Sequence, residues 1–247
     1  MEALETIALV AAGTGAGAIN AVAGGGSLVS FPVLLAVGYS PVTANVTNQV
    51  ALVPGYLGGS VGYRAELAGQ RARARALGVA AALGAAVGTA ILLVAPAGSF
   101  RAIVPYLVLA SCALLAFQPA LIRAAGRHRT VHPGLPLHAA TFAASVYGGY
   151  FGGALGIVLL AILGALLDDD LHRLNALKGL LSLVGGIAAA TGYAIFGPVA
   201  WGAAALVAGG ALLGGRAGAG LARRMHPDLL RWAIVAYGVT AAIILLA

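Results

Sequence analysis

Charged side chains are scarce in this sequence. Asp, Glu, Lys and Arg together make up 9% of its 247 residues, whereas a soluble domain carries about 25%. Hydrophobic residues reach 61%, which leaves too few polar side chains to cover a water-soluble globule. The apolar residues form long runs instead of the short alternating strands of a membrane β-barrel. These features predict an all-α integral membrane protein.

Cysteine is almost missing too. Cys112 is the single cysteine, so an intrachain disulfide and a thiolate metal site are excluded. The sequence has no P-loop lysine motif and no pair of acidic residues within an apolar run. We therefore predict that the chain is not an enzyme and needs no cofactor and no metal.

Basic residues outnumber acidic ones and give a net charge of +7. They cluster between the apolar runs, around residues 64–75, 123–129 and 223–231. An excess of Lys and Arg marks the cytoplasmic loops of membrane proteins, so all three clusters are predicted to lie on the cytoplasmic face. The charge thus indicates a lipid bilayer as partner and no nucleic acid.

The chain repeats itself after a gap-free shift of 130 residues. The shift superimposes an asparagine, a Gly-Tyr pair and an arginine: Asn45 on Asn175, Gly62-Tyr63 on Gly192-Tyr193, and Arg101 on Arg231. It also pairs the basic loop at 64–75 with the uncharged segment 194–205, so equivalent loops are expected on opposite faces. This relationship predicts two inverted-topology repeats, residues 1–123 and 135–247, joined by a basic cytoplasmic linker at 124–134.

Each repeat is predicted to be a broken-helix hairpin followed by three transmembrane helices. About 20 apolar residues can cross a bilayer, whereas residues 4–38 and 135–167 are longer and are interrupted by glycines. The three spans that follow each hairpin are predicted at residues 42–63, 76–95 and 102–122, and at residues 174–196, 199–221 and 229–246.

The glycine breaks are candidates for an anion site. The residues proposed to donate hydrogen bonds all lie there: Gly24, Gly25, Gly26 and Ser27 in the first hairpin, and Gly153 and Gly156 in the second. Glycine allows close approach of the backbone, and Ser27 is predicted to cap the helix that follows. The N-terminus of such a helix favours an anion. A bend that serves packing alone is the alternative.

Polar side chains recur at matching positions of the two halves. Asn45, Asn48 and Gln49 share one face of a helix, and Asn175 and Lys178 share a face at the equivalent place. Polar residues within spans usually face the bundle interior, so the amides are predicted to bind an oxyanion and Lys178 to balance its charge. Interhelical hydrogen bonding by the amides and snorkelling of the lysine to the interface are the alternatives.

Three consecutive acidic residues, Asp168, Asp169 and Asp170, end the second hairpin. We predict that they form a solvated loop at a helix end. A metal, proton or cation role is the alternative reading.

Three segments resemble the sulfite exporter TauE/SafE family. They read GAGAINAVAGGGSLVSFP (residues 15–32), ANVTNQVALVPGYLGG (44–59) and NALKGLLS (175–182). The resemblance covers nearly the whole chain and implies a permease for small sulfur-containing anions, such as sulfite, sulfonates or sulfoacetate. It also implies a multi-pass protein of the bacterial plasma (inner) membrane.

The residues and the resemblance lead to one functional hypothesis. Inverted repeats with broken helices place a substrate site near the bilayer midplane, which predicts an alternating-access exporter of small sulfur-containing anions. A passive anion channel, a permease for another small organic anion and a non-transporting scaffold are the alternatives. The sequence leaves open whether a proton or a sodium ion is coupled to transport. It also leaves open whether the protein forms a homo-oligomer.

Overall fold

The computed structural model describes residues 2–22, 24–96, 98–125, 134–221 and 227–246. Within these ranges every regular element is an α-helix, which confirms the predicted fold class. The helices follow in chain order as α1 (Ala3–Val22), α2 (Ser27–Ala36), α3 (Pro41–Gly62), α4 (Arg71–Val94), α5 (Ser99–Ala116), α6 (Gln118–Ala125), α7 (Leu135–Tyr150), α8 (Leu155–Leu166), α9 (Leu171–Phe196), α10 (Trp201–Leu221) and α11 (Pro227–Leu246).

Four helices are long and apolar enough to cross a membrane by length and composition. They comprise residues Ala3–Ala21, Arg71–Val94, Ser99–Ala116 and Leu171–Phe196. The chain is a multi-pass membrane protein. The helices α2 and α8 have 10 and 12 residues, so they rise only about 15 and 18 Å, against a hydrocarbon core of about 30 Å. Neither of these short arms crosses a bilayer by itself.

Both predicted hairpin breaks are present. The first separates α1 from α2 and the second separates α7 from α8. The order of helices α1–α5 matches that of α7–α11, and α6 lies between them. The inverted orientation of the two halves and the boundaries of the repeats stay predictions. Most of the predicted linker at 124–134 lies outside the described residues.

The two halves interlock through glycine contacts. Helix α1 packs against α10, and α7 packs against α4. A Cβ on Gly17 would lie 2.1 Å from the Ala211 carbonyl oxygen, and a Cβ on Gly149 would lie 2.1 Å from the Ala85 carbonyl oxygen. Glycines let helix backbones approach this closely in membranes, where dispersion packing drives association. Each long hairpin arm is therefore held by the opposite half.

One predicted span is shorter than expected. The helix predicted at residues 102–122 ends at Ala116, and Phe117 separates it from α6. Pro119 is the second residue of α6, and proline cannot donate a helical hydrogen bond to the preceding turn. The chain therefore starts a new helix there, and α6 packs on α8.

The loop that carries the three aspartates is tied to the basic loop before α4. Asp169 pairs with Arg73 at 2.7 Å and with Arg173 at 2.8 Å, and the Asp170 side chain accepts the N–H groups of His172 and Arg173 to cap α9. The helix end is as predicted, and Asp168 and Asp170 are exposed, as expected of a solvated loop. Asp169 differs, because its side chain is 15% exposed and pairs with two arginines. The aspartate loop and the basic loop at 64–75 are therefore neighbours.

Hydrogen bonds set the ionisation of Asp169. Burial opposes the charged carboxylate, but hydrogen bonds from Arg73, the Asp170 N–H and Arg173 outweigh it and hold the pKa of Asp169 below its ordinary value. Within the described ranges, no group of three or more His, Cys, Asp or Glu side chains is arranged to hold a metal ion.

Candidate functional site

The two glycine turns touch each other. A Cβ on Gly24 would lie 2.5 Å from the Gly156 Cα, and a Cβ on Gly156 would lie 2.6 Å from the Gly24 Cα. Gly24 also has a φ of +86°, which L side chains rarely adopt. The break in each hairpin is therefore packed against the break in the other.

The first turn is built around Asn20. The Asn20 Oδ1 accepts the Gly26 N–H at 2.8 Å, and a Cβ on Gly26 would lie 2.1 Å from the Ala16 carbonyl oxygen. The residue before α2 is Gly26, and no side chain caps the helix. The predicted cap by Ser27 is wrong, because Ser27 is already the first helical residue and Asn20 supplies the acceptor that orders the turn.

Lys178 lies against this first turn. Its side chain is 2% exposed, and its Nζ donates to the Asn20 carbonyl oxygen at 3.2 Å and to the Asn175 Oδ1 at 2.8 Å. The Asn175 Nδ2 donates to the Ala21 carbonyl oxygen at 3.3 Å. Asn175 and Lys178 of α9 thus bind the end of α1, and the amine points away from solvent.

The second turn is held in the corresponding way by α3. The Asn45 Nδ2 donates to the Tyr150 carbonyl oxygen at 2.9 Å, and the Gln49 Nε2 donates to the Gly148 carbonyl oxygen at 2.5 Å. The Tyr147 hydroxyl donates to the Gly153 carbonyl oxygen at 2.5 Å. Polar residues of each half therefore bind the hairpin of the other half.

Gly153 sits in a crowded position. A Cβ on it would lie 2.5 Å from the Phe151 ring and 2.7 Å from the Ser111 Oγ. A larger residue here would require the Phe151 and Ser111 side chains to shift. A donor role for Gly153 and Gly156 toward a ligand stays a prediction.

Asn48 bonds within its own half. Its Oδ1 accepts the Ser30 hydroxyl at 2.5 Å, which ties α2 to α3. The Asn48 Nδ2 and the Asn45 Oδ1 are buried and have no partner among the described residues. Buried polar atoms normally find a hydrogen-bond partner, so these two atoms are candidates for contacts with a bound polar group.

The predicted residues form two clusters instead of one. Asn175 and Lys178 surround the first turn, whereas Asn45 and Gln49 surround the second. The contact between Gly24 and Gly156 joins the clusters. Several of the first N–H groups of α2 and α8 donate to carbonyl oxygens of the two turns, among them those of Val29 and Ile157. The positive dipole ends of both helices lie at this junction.

A small cavity adjoins the Lys178 cluster. Asn20, Tyr56, Ser60 and Asn175 are among its lining residues, and its volume is about 10 Å³, which is about the space of one water molecule. The Ser60 Oγ is buried and has no partner among the described residues. A sulfite-sized anion does not fit, so this structure is closed around the cluster.

A larger cavity lies away from these residues. It has a volume of about 460 Å³ and lies between α2, α5 and α11, with Arg101 in its otherwise mostly apolar wall. None of the predicted site residues lines it. We place the candidate site at the buried polar clusters, because they combine hydrogen-bond donors with the buried amine of Lys178.

Asn20 and Ser60 were missed by the sequence analysis. Asn20 is the one amide side chain of α1 and lies four positions before Gly24, a signal that could have drawn attention to it. Ser60 gives no such signal, because a serine in a glycine-rich helix is common in membrane packing.

Known proteins with similar sequences are membrane transporters by name. The family described as "Sulfite exporter TauE/SafE" matches residues 9–245. A "probable membrane transporter protein" of Haemophilus influenzae is 25% identical over 88% of this chain and 85% of its own length. The "probable membrane transporter protein YfcA" of Escherichia coli K12 is 28% identical over 89% and 81%, respectively. No solved structure shows significant similarity.

Proposed function

Because the chain belongs to the sulfite exporter TauE/SafE family, we propose that it exports small sulfur-containing anions, such as sulfite or organosulfonates, across the bacterial plasma membrane. The proposed mechanism is alternating access around the junction of the two glycine turns. Its relatives are named as membrane transporters, which supports transport in general. The names of the relatives specify neither the substrate class nor the mechanism.

The buried amine of Lys178 carries the proposal. It is 2% exposed, and both of its hydrogen-bond acceptors are neutral. Charged groups inside membrane proteins are costly and are usually paired or functional. An anion bound beside Lys178 would provide the missing counter-charge.

Donors suited to an oxyanion lie near this amine. The Ser60 hydroxyl adjoins the cavity beside Asn175, and the N-terminus of α2 begins just after the turn that Asn20 orders. Hydroxyl groups and helix N-termini both bind anions. These groups support binding of a compact oxyanion.

The helix pairing supports the inverted repeat. Helices α1 and α10 pack together as α7 and α4 do, and each of α3 and α9 binds the turn of the opposite hairpin. In inverted-repeat transporters one half rocks against the other around a midplane site. The same movement would open the small cavity alternately to each side.

A passive anion channel is the second candidate, and the small cavity argues against it. An open channel needs a continuous path, whereas the space beside Asn175 is about 10 Å³. Saturable uptake and counterflow of labelled anion in proteoliposomes would favour a transporter. Flux that shows neither would favour a channel.

The test of the site is Lys178→Met, which keeps an unbranched side chain but removes its charge. We expect the variant to lose counterflow of labelled sulfite or methanesulfonate in proteoliposomes. Arg216→Met is the matched control, because Arg216 is another basic residue within a helix but is exposed. Undiminished flux in the Lys178 variant would remove this residue from the site.

A thermal-shift screen should precede the flux assay. Ligands that bind only the folded protein stabilise it, by about 2.7 kcal/mol at 100 times Kd. The screen compares sulfite, sulfate, thiosulfate, sulfonates and carboxylates. Stabilisation by carboxylates alone would contradict the proposed substrate class and leave a permease for another organic anion.

A further inference from the structure

The hydrogen bonds of Lys178 match those of a neutral amine. A neutral amine has two N–H groups and one lone pair, whereas an ammonium has three N–H groups. Lys178 has two acceptors, the Asn20 carbonyl oxygen and the Asn175 Oδ1. An ammonium at this position would leave one N–H without an acceptor among the described residues.

No acidic side chain among the described residues pairs with Lys178. Helices α1, α3, α4, α7 and α8 pack against α9. The titratable side chains on these helices and at their ends are Glu2 and Glu5 at the start of α1, Tyr56 and Tyr63 on α3, Arg71, Arg73 and Arg75 on α4, His138, Tyr147 and Tyr150 on α7, and Asp168 after α8. Glu2 and Glu5 lie at the other end of α1 from Asn20, and Asp168 is exposed in the loop before α9.

The remaining groups are accounted for elsewhere. Arg73 pairs with Asp169 in the loop before α9, and Tyr147 bonds to Gly153 and Ser111 at the second turn. Tyr56 and Tyr63 line the small cavity with Asn175 but supply no negative charge as neutral phenols. A charge on Lys178 thus has no counter-charge within the protein's described part.

We propose that Lys178 takes up one proton with each anion and releases it when that anion leaves. The inference rests on the proposed function. The anion and a proton enter from the same side, and the proton binds the amine lone pair to form the ammonium. The third N–H of the ammonium then donates to the anion, and both leave together on the opposite side.

The consequence is electroneutral transport of a monoanion. The anion-bound site holds one positive and one negative charge, and the anion-free site holds a neutral amine. Both forms can cross between states without carrying a buried unpaired charge, which is the costly alternative. The anion gradient and the proton gradient are thereby coupled at one to one.

The direct test measures proton and anion movement together in wild-type proteoliposomes. Methanesulfonate is a suitable probe because it stays a monoanion across the working pH range. Labelled anion and an internal pH-sensitive dye are followed while valinomycin and potassium set the membrane potential. We expect one proton for each anion and no dependence of net flux on the potential.

A second test uses Lys178→Arg, because arginine keeps its proton in proteins. The anion-bound form of this variant can still exchange anion for anion, but the empty form must return with a fixed charge. We expect net flux to fall by about 100-fold relative to exchange, which corresponds to about 2.7 kcal/mol in the return step. Arg216→Lys is the matched control and should leave the ratio of net flux to exchange unchanged.

The outcomes separate the coupling from the proposed function. Anion flux that follows the membrane potential without proton movement would overturn the coupling and leave the transporter intact. An Lys178→Arg variant whose net flux and exchange fall equally would also overturn it. Wild-type protein that exchanges neither methanesulfonate nor sulfite would refute the proposed function and the coupling with it. If the arginine variant does not fold, the wild-type measurement alone decides.

Discussion

Replacement of Gly156 by alanine tests the contact between the two hairpin turns. Gly156 is the second residue of α8, and alanine is a better helix former than glycine by about 1 kcal/mol. By helix propensity alone, the substitution should therefore stabilise the protein. Its Cβ, however, would lie 2.6 Å from the Gly24 Cα, far inside van der Waals contact.

The contact should outweigh the propensity. Overpacking costs about 1–3 kcal/mol, and the upper end applies here because the opposing atom is backbone and cannot rotate away. After subtraction of the helix term, we expect a net loss of about 2 kcal/mol of unfolding free energy. For a chain of this length that loss lowers Tm by about 4–8 °C.

A matched glycine provides the control. Gly209 lies within α10, and a Cβ there would have no atom within 4 Å. We expect Gly209→Ala to keep or raise Tm, measured by scanning fluorimetry in one detergent or in nanodiscs. If Gly156→Ala is as stable as Gly209→Ala, the two turns do not touch as described, and the junction that we propose as the anion site is refuted.

Two further predictions concern hydrogen bonds that hold loops and turns. Asp169→Asn should lower Tm at neutral pH, because its low folded-state pKa means that the carboxylate form stabilises the fold. That stabilisation is present above the unfolded-state pKa of Asp and is lost as pH falls through the folded-state pKa. The Tm difference between wild type and variant should therefore shrink on acidification. A Tm difference that does not change with pH would contradict this prediction. Tyr147→Phe removes the donor to the Gly153 carbonyl oxygen and should lower the free energy of unfolding by about 1 kcal/mol. Tyr106→Phe is the control, because Tyr106 is exposed, and it should leave Tm unchanged. Equal Tm changes in the two variants would argue against the hydrogen bond from Tyr147.

The helix breaks could be predicted from sequence because glycine carries a local signal. The run Gly24–Gly26 interrupts an apolar stretch, and Gly152 and Gly153 do the same in the second half. Both breaks are present, with Gly24 and Gly152 at positive φ. A conformational requirement of this kind depends on the residue itself, so it can be recognised without tertiary information.

The details of the first turn could not be predicted in the same way. Serine before an apolar run usually indicates a helix cap, yet Ser27 is helical and Asn20 provides the acceptor. The close approach of Gly26 to the Ala16 carbonyl oxygen leaves no room for a side chain at the position before α2. That contact is tertiary, and tertiary contacts override local capping preferences.

The pairing of polar residues across the halves also had no local signal. Helical spacing correctly placed Asn175 and Lys178 on one face, because that depends only on the helix period. It could not tell that they bind the end of α1, or that Asn45 binds Tyr150 on α7. These partners depend on which helices pack together through their glycines. Because the chain is rich in glycine, its sequence is compatible with many such helix pairs and does not single out the correct ones.

The difference between the two halves bears on how an anion could enter. Asn48 and Lys178 occupy equivalent positions, but Asn48 bonds to Ser30 of its own half, whereas Lys178 bonds to Asn20 of the other. Under the proposed mechanism, opening of the site beside Lys178 would separate α9 from the end of α1 and break the bonds to Asn20 and Ala21. The bonds from α3 to α7 need not change in that step. The amine that would bind the anion therefore also closes the site in its absence, and a bound anion would replace the acceptors that Lys178 gives up.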